Sequence, residues 1–165
     1  MIILGIDPGS RITGFGVIQS IKQKQHYIAS GCIKIIPIDW ASRLKQIYDD
    51  LLKIIDEYRP EQVSIEKIFV HKNVSSALKL GQARGAAIVA AATMGLPVHE
   101  YSARQIKQAV VGFGNADKGQ IQAMVQTILS LNKSPQQDAA DALAIAMCHG
   151  LHHSAALLYS DHSKI

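Results

Sequence analysis

Two acidic residues, Asp7 and Glu66, lie in segments that are otherwise apolar. Asp7 directly follows the run at residues 2–6, and Glu66 interrupts the run at residues 63–69. A charge in an apolar strand is costly unless something pairs with it. If the two segments form neighbouring parallel strands, both carboxylates emerge at the same end of the sheet. The alternatives are that Asp7 only caps the turn at residues 7–10 and that Glu66 faces solvent.

A second acidic pair, Asp138 and Asp141, lies in an alanine-rich segment, residues 139–146. On a helix, residues three apart point the same way, with Cβ atoms roughly 5–6 Å apart. The surrounding alanines, with Leu143 and Ile145, indicate that this helix packs against the core. A favourable interaction with the helix dipole is an alternative explanation for Asp138, but it does not explain Asp141.

Converging carboxylates cannot all stay ionised without a cation, and their oxygens suit Mg²⁺ or Mn²⁺ rather than zinc. The sequence has no competing zinc pattern, because Cys32 and Cys148 are isolated and His149, His152 and His153 lie near the end of the chain. Acidic residues on two strands and a late helix are what two-metal phosphodiester cleavage requires, with ions ~3.5–4 Å apart. We therefore predict two Mg²⁺ ions per subunit, with Mn²⁺ as a substitute.

Apolar alternation and turn residues predict the elements that position these residues. Three strands near residues 2–6, 13–18 and 27–36 form an antiparallel meander. Apolar residues three and four apart predict a helix from residue 39 to the break at Arg59-Pro60. The strand at residues 63–69 then pairs in parallel with an earlier strand, which we expect to be the first.

The second half of the chain is predicted to be mainly helical. A helix over residues 73–95 carries Gly81 and Gly85 on one face, and a short strand follows at residues 96–101. Caps that precede Gln by three residues predict three further helices. These caps are Ser102, Asp117 and Ser134, and Pro135 takes the first helical position after the last one. The order βββαβαβααα predicts an α/β fold, one mixed five-stranded sheet with helices on both faces.

Length and composition limit the remaining possibilities. The 165 residues, 48% of them hydrophobic, suffice for one domain, which we place at residues 1–153 before a frayed tail at 154–165. The first apolar run is too short to span a bilayer, and isolated cysteines fit a reducing compartment, so we expect a cytoplasmic protein without membrane contact. A net charge of +4 permits a polyanionic partner without requiring one.

Four segments carry a resemblance to a known family. They are IDPGSR at 6–11, IEKIF at 65–69, ALKLGQARG at 77–85 and DAADALA at 138–144. From Met1 to about Gly150 the chain closely resembles the RuvC family, bacterial Holliday junction endonucleases of the ribonuclease H-like superfamily. The resemblance implies a homodimer that nicks two opposing strands of a four-way DNA junction in recombination and repair. It also implies a preference for a short T-containing sequence and work alongside the RuvA and RuvB branch-migration proteins.

The resemblance also implies roles for individual residues. Asp7, Glu66, Asp138 and Asp141 are expected to be the metal-binding catalytic tetrad. Two further catalytic residues and four substrate-binding residues are expected: Lys107 and Lys118, then Phe69, Lys72, Asn73 and Arg11. Taken alone, either lysine could be an ordinary solvated side chain and Phe69 could belong to the core. The chain departs from many members at Asn115, where they have Arg, and in its tail, whose only basic residue is Lys164.

Two functions from other classes compete with this interpretation. An actin-like phosphotransferase also begins its phosphate loop with Asp-x-Gly after a strand, but such folds need two duplicated domains to close over a nucleotide. A junction-binding protein that does not cleave would need no intact carboxylate set, whereas all four carboxylates are present here.

Overall fold

The computed structural model describes residues 1–36, 39–68 and 74–162. The strands are β1 (Ile2–Asp7), β2 (Ile12–Ile21), β3 (Lys24–Lys34), β4 (Gln62–Glu66) and β5 (Val98–Tyr101). The helices are α1 (Trp40–Tyr58), α2 (Val74–Thr93), α3 (Ala103–Val111), α4 (Lys118–Ile128) and α5 (Gln137–His162). The predicted order βββαβαβααα is confirmed, although β2 and β3 are longer than predicted.

The five strands form one mixed sheet in the order β3-β2-β1-β4-β5. The first three strands are the predicted antiparallel meander. β4 pairs in parallel with β1, as predicted, and β5 pairs in parallel with β4. This topology makes β1 the central strand and places the ends of β1 and β4 at the same edge of the sheet.

Helices cover both faces of the sheet, and the side chains of β1 alternate between them. Leu4 and Ile6 pack in the layer formed with α1 and α2, whereas Ile3 packs in the layer formed with α3, α4 and α5. All three side chains are fully buried. Successive side chains of a strand point to opposite faces, so one central strand contributes to both cores.

Helix α5 lies directly against the sheet because two glycines leave room for its backbone. A Cβ atom at Gly5 would lie 2.1 Å from the carbonyl oxygen of Ala142, and one at Gly14 would lie 2.0 Å from that of Asp138. The buried Ser64 hydroxyl also donates to the carbonyl of Ile145 at 3.3 Å. These contacts fix the first turns of α5 beside the ends of β1 and β4.

The predicted caps of α3 and α4 are confirmed as complete capping boxes. Ser102 accepts from the backbone N–H of Gln105, and Asp117 accepts from that of Gln120. In return, each glutamine side chain accepts from the backbone N–H of its cap. Two orphan donors at each helix start are therefore satisfied by residues only three positions apart.

Helix α5 begins later than predicted. It begins at Gln137, two residues after the predicted start at Pro135. The Pro135 carbonyl instead accepts from the Gln122 side chain of α4 at 2.6 Å, which holds this segment as a connector. At the other end the helix extends to His162, and the fraying of segment 154–165 stays a prediction. Good helix formers follow Gly150, and the Ser154 hydroxyl donates to the carbonyl of Lys22.

Among the helices in the described ranges, none has the length and apolar character needed to cross a membrane. Cys148 is buried and Cys32 is half-buried, and both are free thiols.

Candidate active site

Asp7 and Glu66 are the last residues of β1 and β4, and the parallel pairing brings them side by side. The register aligns Ile6 with Ile65, so the following residue of each strand is an acid. The two carboxylates interact, since the charge of Glu66 contributes to raising the pKa of Asp7. The predicted meeting of these two residues at one end of the sheet is confirmed, and the charge contact between them disfavours the explanation of Asp7 as a turn cap alone.

Asp138 and Asp141 join them from the beginning of α5. Asp141 lines the same cavity as Asp7 and Glu66, a depression of about 270 Å³. Asp138 lies close enough for its charge to contribute to raising the pKa values of Asp7 and Asp141. Residues separated by more than 130 positions in the chain therefore share one acidic site.

Burial and mutual repulsion disfavour the ionised form of the carboxylates at this site. Burial is the main cause that raises the pKa of Asp7 to about 7, and the charges of Asp141, Glu66 and Asp138 add to it. Burial, followed by the charge of Asp141, also raises the pKa of Glu66. Burial raises the pKa of Asp141 even though Lys118 opposes the shift. A site with these properties favours the approach of a cation.

Two lysines, Lys107 of α3 and Lys118 of α4, line the cavity beside the acids. The Lys118 ammonium lies 3.5 Å from a carboxylate oxygen of Asp141, and its side chain remains 68% exposed. Both lysines lower the pKa values of Glu66 and Asp141. Since Lys118 is the first residue of α4, its charge is placed at a helix N-terminus, which favours an anion.

The donors at this site are carboxylate oxygens, and among the described residues neither a histidine nor a cysteine lines the cavity. This set fits Mg²⁺ or Mn²⁺. Within the described residues, no three His, Cys, Asp or Glu side chains are already arranged as a ready-made ion site. Four like charges repel one another, so an ion would have to draw these carboxylates together.

The structure places the other predicted site residues as follows. Arg11 is exposed just before β2, where its carbonyl accepts from the Ile35 backbone N–H at 3.0 Å, and it does not line the cavity. Phe69, Lys72 and Asn73 lie outside the described residues. Their predicted contacts with DNA stay predictions.

Sequence reasoning did not identify the apolar wall of the cavity. This wall includes Ile106 of α3, Ile121 of α4 and Ile145 of α5. Each is an ordinary core position of its helix, and no local pattern indicates that three separate helices meet beside the acids. The two lysines were identified only through the family resemblance.

The raised pKa of Asp7 predicts that this carboxylate lowers the stability of the metal-free protein. Its pKa rises from 3.8 to about 7 in the folded state, so between these values the folded protein holds a proton that the unfolded chain releases. The contribution of Asp7 to the free energy of unfolding therefore falls as the pH rises from 3.8 to about 7. We expect Asp7→Asn to raise the melting temperature at pH 8 in EDTA by ~5 °C, equivalent to ~2 kcal/mol.

Calorimetry at pH 5 and pH 8 tests this expectation. The gain should be clearly smaller at pH 5, where wild-type Asp7 is protonated in the folded state. Asp56→Asn makes the same chemical change at an exposed ion pair of α1 and serves as the control. An identical rise in melting temperature at pH 5 and pH 8 would contradict the assignment of the effect to Asp7 ionisation.

The sheet order, the parallel pairing of β1 with β4 and the acids on β1, β4 and the last helix define the class of protein. This arrangement is that of a ribonuclease H-like nuclease, as the family resemblance implied.

Comparison with known proteins identifies the family within this class. The family model for the crossover junction endodeoxyribonuclease RuvC matches residues 3–149. The enzyme of that name from Marinobacter nauticus is 62% identical over 148 residues, which cover 90% of this chain and 85% of the relative. The one from Shewanella amazonensis is 63% identical over 90% of this chain and 86% of its own length. The chain belongs to the RuvC family of crossover junction endodeoxyribonucleases.

A solved structure agrees with this assignment. Thermus thermophilus RuvC in complex with Holliday junction substrate superposes with a TM-score of 0.88 at 35% identity, covering 94% of this chain and 96% of that one. The predicted family, fold and enzyme class are confirmed. The comparisons give no support to the two alternatives, an actin-like phosphotransferase and a junction-binding protein that does not cleave.

Proposed function

We propose that this chain resolves four-way DNA junctions by hydrolysing one phosphodiester bond in each of two opposing strands. Asp7, Glu66, Asp138 and Asp141 hold two Mg²⁺ ions in each subunit, and Mn²⁺ can replace them. The observation that carries this proposal is the convergence of three half-buried acids, Asp7, Glu66 and Asp141, on one cavity, where the pKa of Asp7 reaches about 7. A protein has little reason to bury repelling carboxylates together unless a cation joins them.

The residues of this chain position the ligands of the ions, supply charge and exclude water from the cavity. When bound, two ions supply an activated water and stabilise charge on the leaving oxygen. Asp7 and Glu66 are held rigidly by neighbouring strands, whereas Asp141 is held by a helix that packs on the sheet. The apolar wall limits water in the cavity, which strengthens electrostatic interactions inside it.

The two lysines are suited to the DNA rather than to the ions. Lys118 extends from a helix N-terminus, and its exposed ammonium can reach a phosphate while remaining near Asp141. Lys107 lines the same cavity. We assign both lysines to binding the scissile phosphate and the charge that develops on it, a role in which positive charge stabilises the transition state.

Side-by-side incubation with a four-way junction and a linear duplex tests the function. The protein should nick the junction in the presence of Mg²⁺ or Mn²⁺, leave the duplex largely intact, and cut neither substrate in EDTA. Equal cutting of both substrates would argue for a nuclease without junction specificity. Junction cutting at full rate in EDTA would contradict the metal-dependent mechanism.

Helix α2 offers the surface for the second subunit. One face of this helix carries a line of small and apolar residues, of which Val74, Leu78, Gly81 and Val89 are exposed and Gly85 is half-buried. Among the described residues, no atom lies within 4 Å of a Cβ built at Gly81 or Gly85. Within the described residues these glycines therefore admit no other element of the same chain, which supports the assignment of this face to a partner helix. We assign this face to an isologous homodimer, since such an interface uses one patch twice.

A bulky charged residue on this face should prevent dimerisation without weakening the monomer. We expect Gly81→Arg to shift the protein to a monomer and to raise the dimer dissociation constant at least tenfold, because the guanidinium would have to be buried between two helices. The monomer keeps its stability, since replacing a helical glycine favours the helix by up to ~1 kcal/mol.

Sedimentation velocity across micromolar concentrations measures the effect. Ala41→Arg adds the same charge at an exposed position of α1 and should leave the dimer intact. A Gly81→Arg protein that dimerises like wild type would place the interface elsewhere.

Three further assignments rest on the resemblance. RuvA and RuvB are the proposed partners, and the cytoplasm is the proposed compartment, which the two free thiols support. Arg11 is proposed to contact DNA outside the cavity.

A further inference from the structure

The carboxyl end of β4 has a backbone carbonyl without a donor from the sheet. The N–H groups of Val63 and Lys67 both donate to β5 or its flank, at 2.9 Å to Pro97 and 2.8 Å to Tyr101. Backbone groups alternate in direction along a strand, so those of Glu66 point the other way, towards β1. The carbonyl of Glu66 therefore depends on the β1 side for its hydrogen bond.

The chain on that side cannot supply the donor. Continuing the parallel register from Ile6 and Ile65 places position 8 where the donating N–H would be. Position 8 is proline, which has no N–H. Glu66 is half-buried, and a carbonyl removed from water without a hydrogen-bond partner costs free energy. Another group must therefore donate to the Glu66 carbonyl.

Arg84 of α2 supplies the missing hydrogen-bond donor. Its Nε donates to the Glu66 carbonyl at 3.1 Å, and its Nη2 forms an ion pair with Glu100 of β5 at 2.7 Å. The Arg84 side chain is only 18% exposed. One planar guanidinium thus joins the last residue of β4 to β5 and to α2, which the single ammonium of a lysine could not do in the same geometry.

We propose that Arg84, held by Glu100, is a positioning residue that fixes the end of β4 and thereby directs the Glu66 carboxylate into the ion site. This inference rests on the proposed function, in which Glu66 is a metal ligand. Arg84 does not line the cavity, so it acts through Glu66 rather than on substrate. Groups that orient a ligand typically contribute 10–100-fold to metal affinity.

The test compares metal binding with cleavage in Arg84→Gln. We expect calorimetry to show Ca²⁺ binding weakened by about 10–100-fold relative to wild type. The Mg²⁺ concentration for half-maximal junction cleavage should rise by a similar factor. The maximal rate at saturating Mg²⁺ and the junction affinity in EDTA should stay close to wild type, because the carboxylate and the DNA contacts are still present.

Matched variants separate positioning from a general loss of structure. Arg59→Gln breaks an exposed ion pair with Asp56, also 2.7 Å long, and should change none of these quantities. Arg84→Lys keeps the charge but replaces the planar guanidinium by a single ammonium, and it should be intermediate. Glu100→Ala should weaken Ca²⁺ binding less than Arg84→Gln, and the double variant should be no worse than Arg84→Gln, because both residues act through one contact.

The outcomes distinguish this inference from the function on which it rests. If Glu66→Gln weakens Ca²⁺ binding but Arg84→Gln, Arg84→Lys and Glu100→Ala all bind Ca²⁺ within about twofold of wild type, Arg84 has no positioning role. If Arg84→Gln unfolds, the other two variants decide the question. Wild-type protein that binds no Ca²⁺ and cuts junctions in EDTA would overturn the metal site and this inference with it.

Discussion

Asp7→Asn should lower junction cleavage by at least about 10³-fold while the protein still binds the junction. Asp7 is the most strongly perturbed of the site acids, and Asn removes its charge without emptying space in the core. Loss of ligation at a catalytic ion removes several kcal/mol of transition-state stabilisation, and ~4 kcal/mol corresponds to that factor. Single-turnover cleavage of a synthetic junction measures the rate, and fluorescence anisotropy in Ca²⁺ measures binding.

The other three acids should behave in the same way. Glu66→Gln, Asp138→Asn and Asp141→Asn are each expected to abolish cleavage and to leave binding largely unchanged. Asp56→Asn, which alters an exposed ion pair on α1, should cleave at the wild-type rate. Near-native cleavage by the Asp7 and Glu66 variants, with the fold confirmed by circular dichroism, would remove the two-metal assignment.

A mixed dimer with one wild-type and one Asp7→Asn subunit should produce nicked circles from a supercoiled cruciform plasmid, with little linear product. Each site cuts one strand, and separation into two duplexes requires two cuts related by the two-fold axis of the junction. The mixed dimer retains one working site. We expect its linear product to fall by at least tenfold relative to the wild-type dimer.

Purification through two different tags isolates the mixed dimer. A wild-type dimer that carries the same two tags is the control and should yield linear plasmid. Linear product at the wild-type yield from the mixed dimer would show that one active site cuts both strands. Full paired cutting by a protein that sediments as a monomer at micromolar concentration would contradict the proposed dimer.

The elements of this fold were predictable because their determinants are local. The capping boxes at Ser102 and Asp117 join groups three residues apart, and the apolar spacing of α1 repeats every turn. The parallel pairing of β1 and β4 was predicted because a helix, α1, directly precedes β4. The ends of α5 were not predictable in the same way, since Gln122 of another helix engages Pro135 and Ser154 bonds to the β2–β3 turn.

Residue types alone were enough to select the candidate acids of the site, because an acid in an apolar strand or on an alanine-rich helix differs clearly from its neighbours. The meeting of Asp7 with Glu66 followed from the predicted strand pairing, whereas the contact of Asp138 and Asp141 with them depends on how α5 packs on the sheet. Asp138 and Asp141 reach Asp7 because Gly5 and Gly14 admit the backbone of α5, a contact between distant segments. Burial, and then the charges of the neighbouring acids, raise the pKa of Asp7 to about 7. The hydrogen bond from Arg84 to the Glu66 carbonyl likewise joins segments that are distant in the sequence. Electrostatic energy depends on distance in space and on exclusion of water, and neither quantity is a property of residue type or spacing.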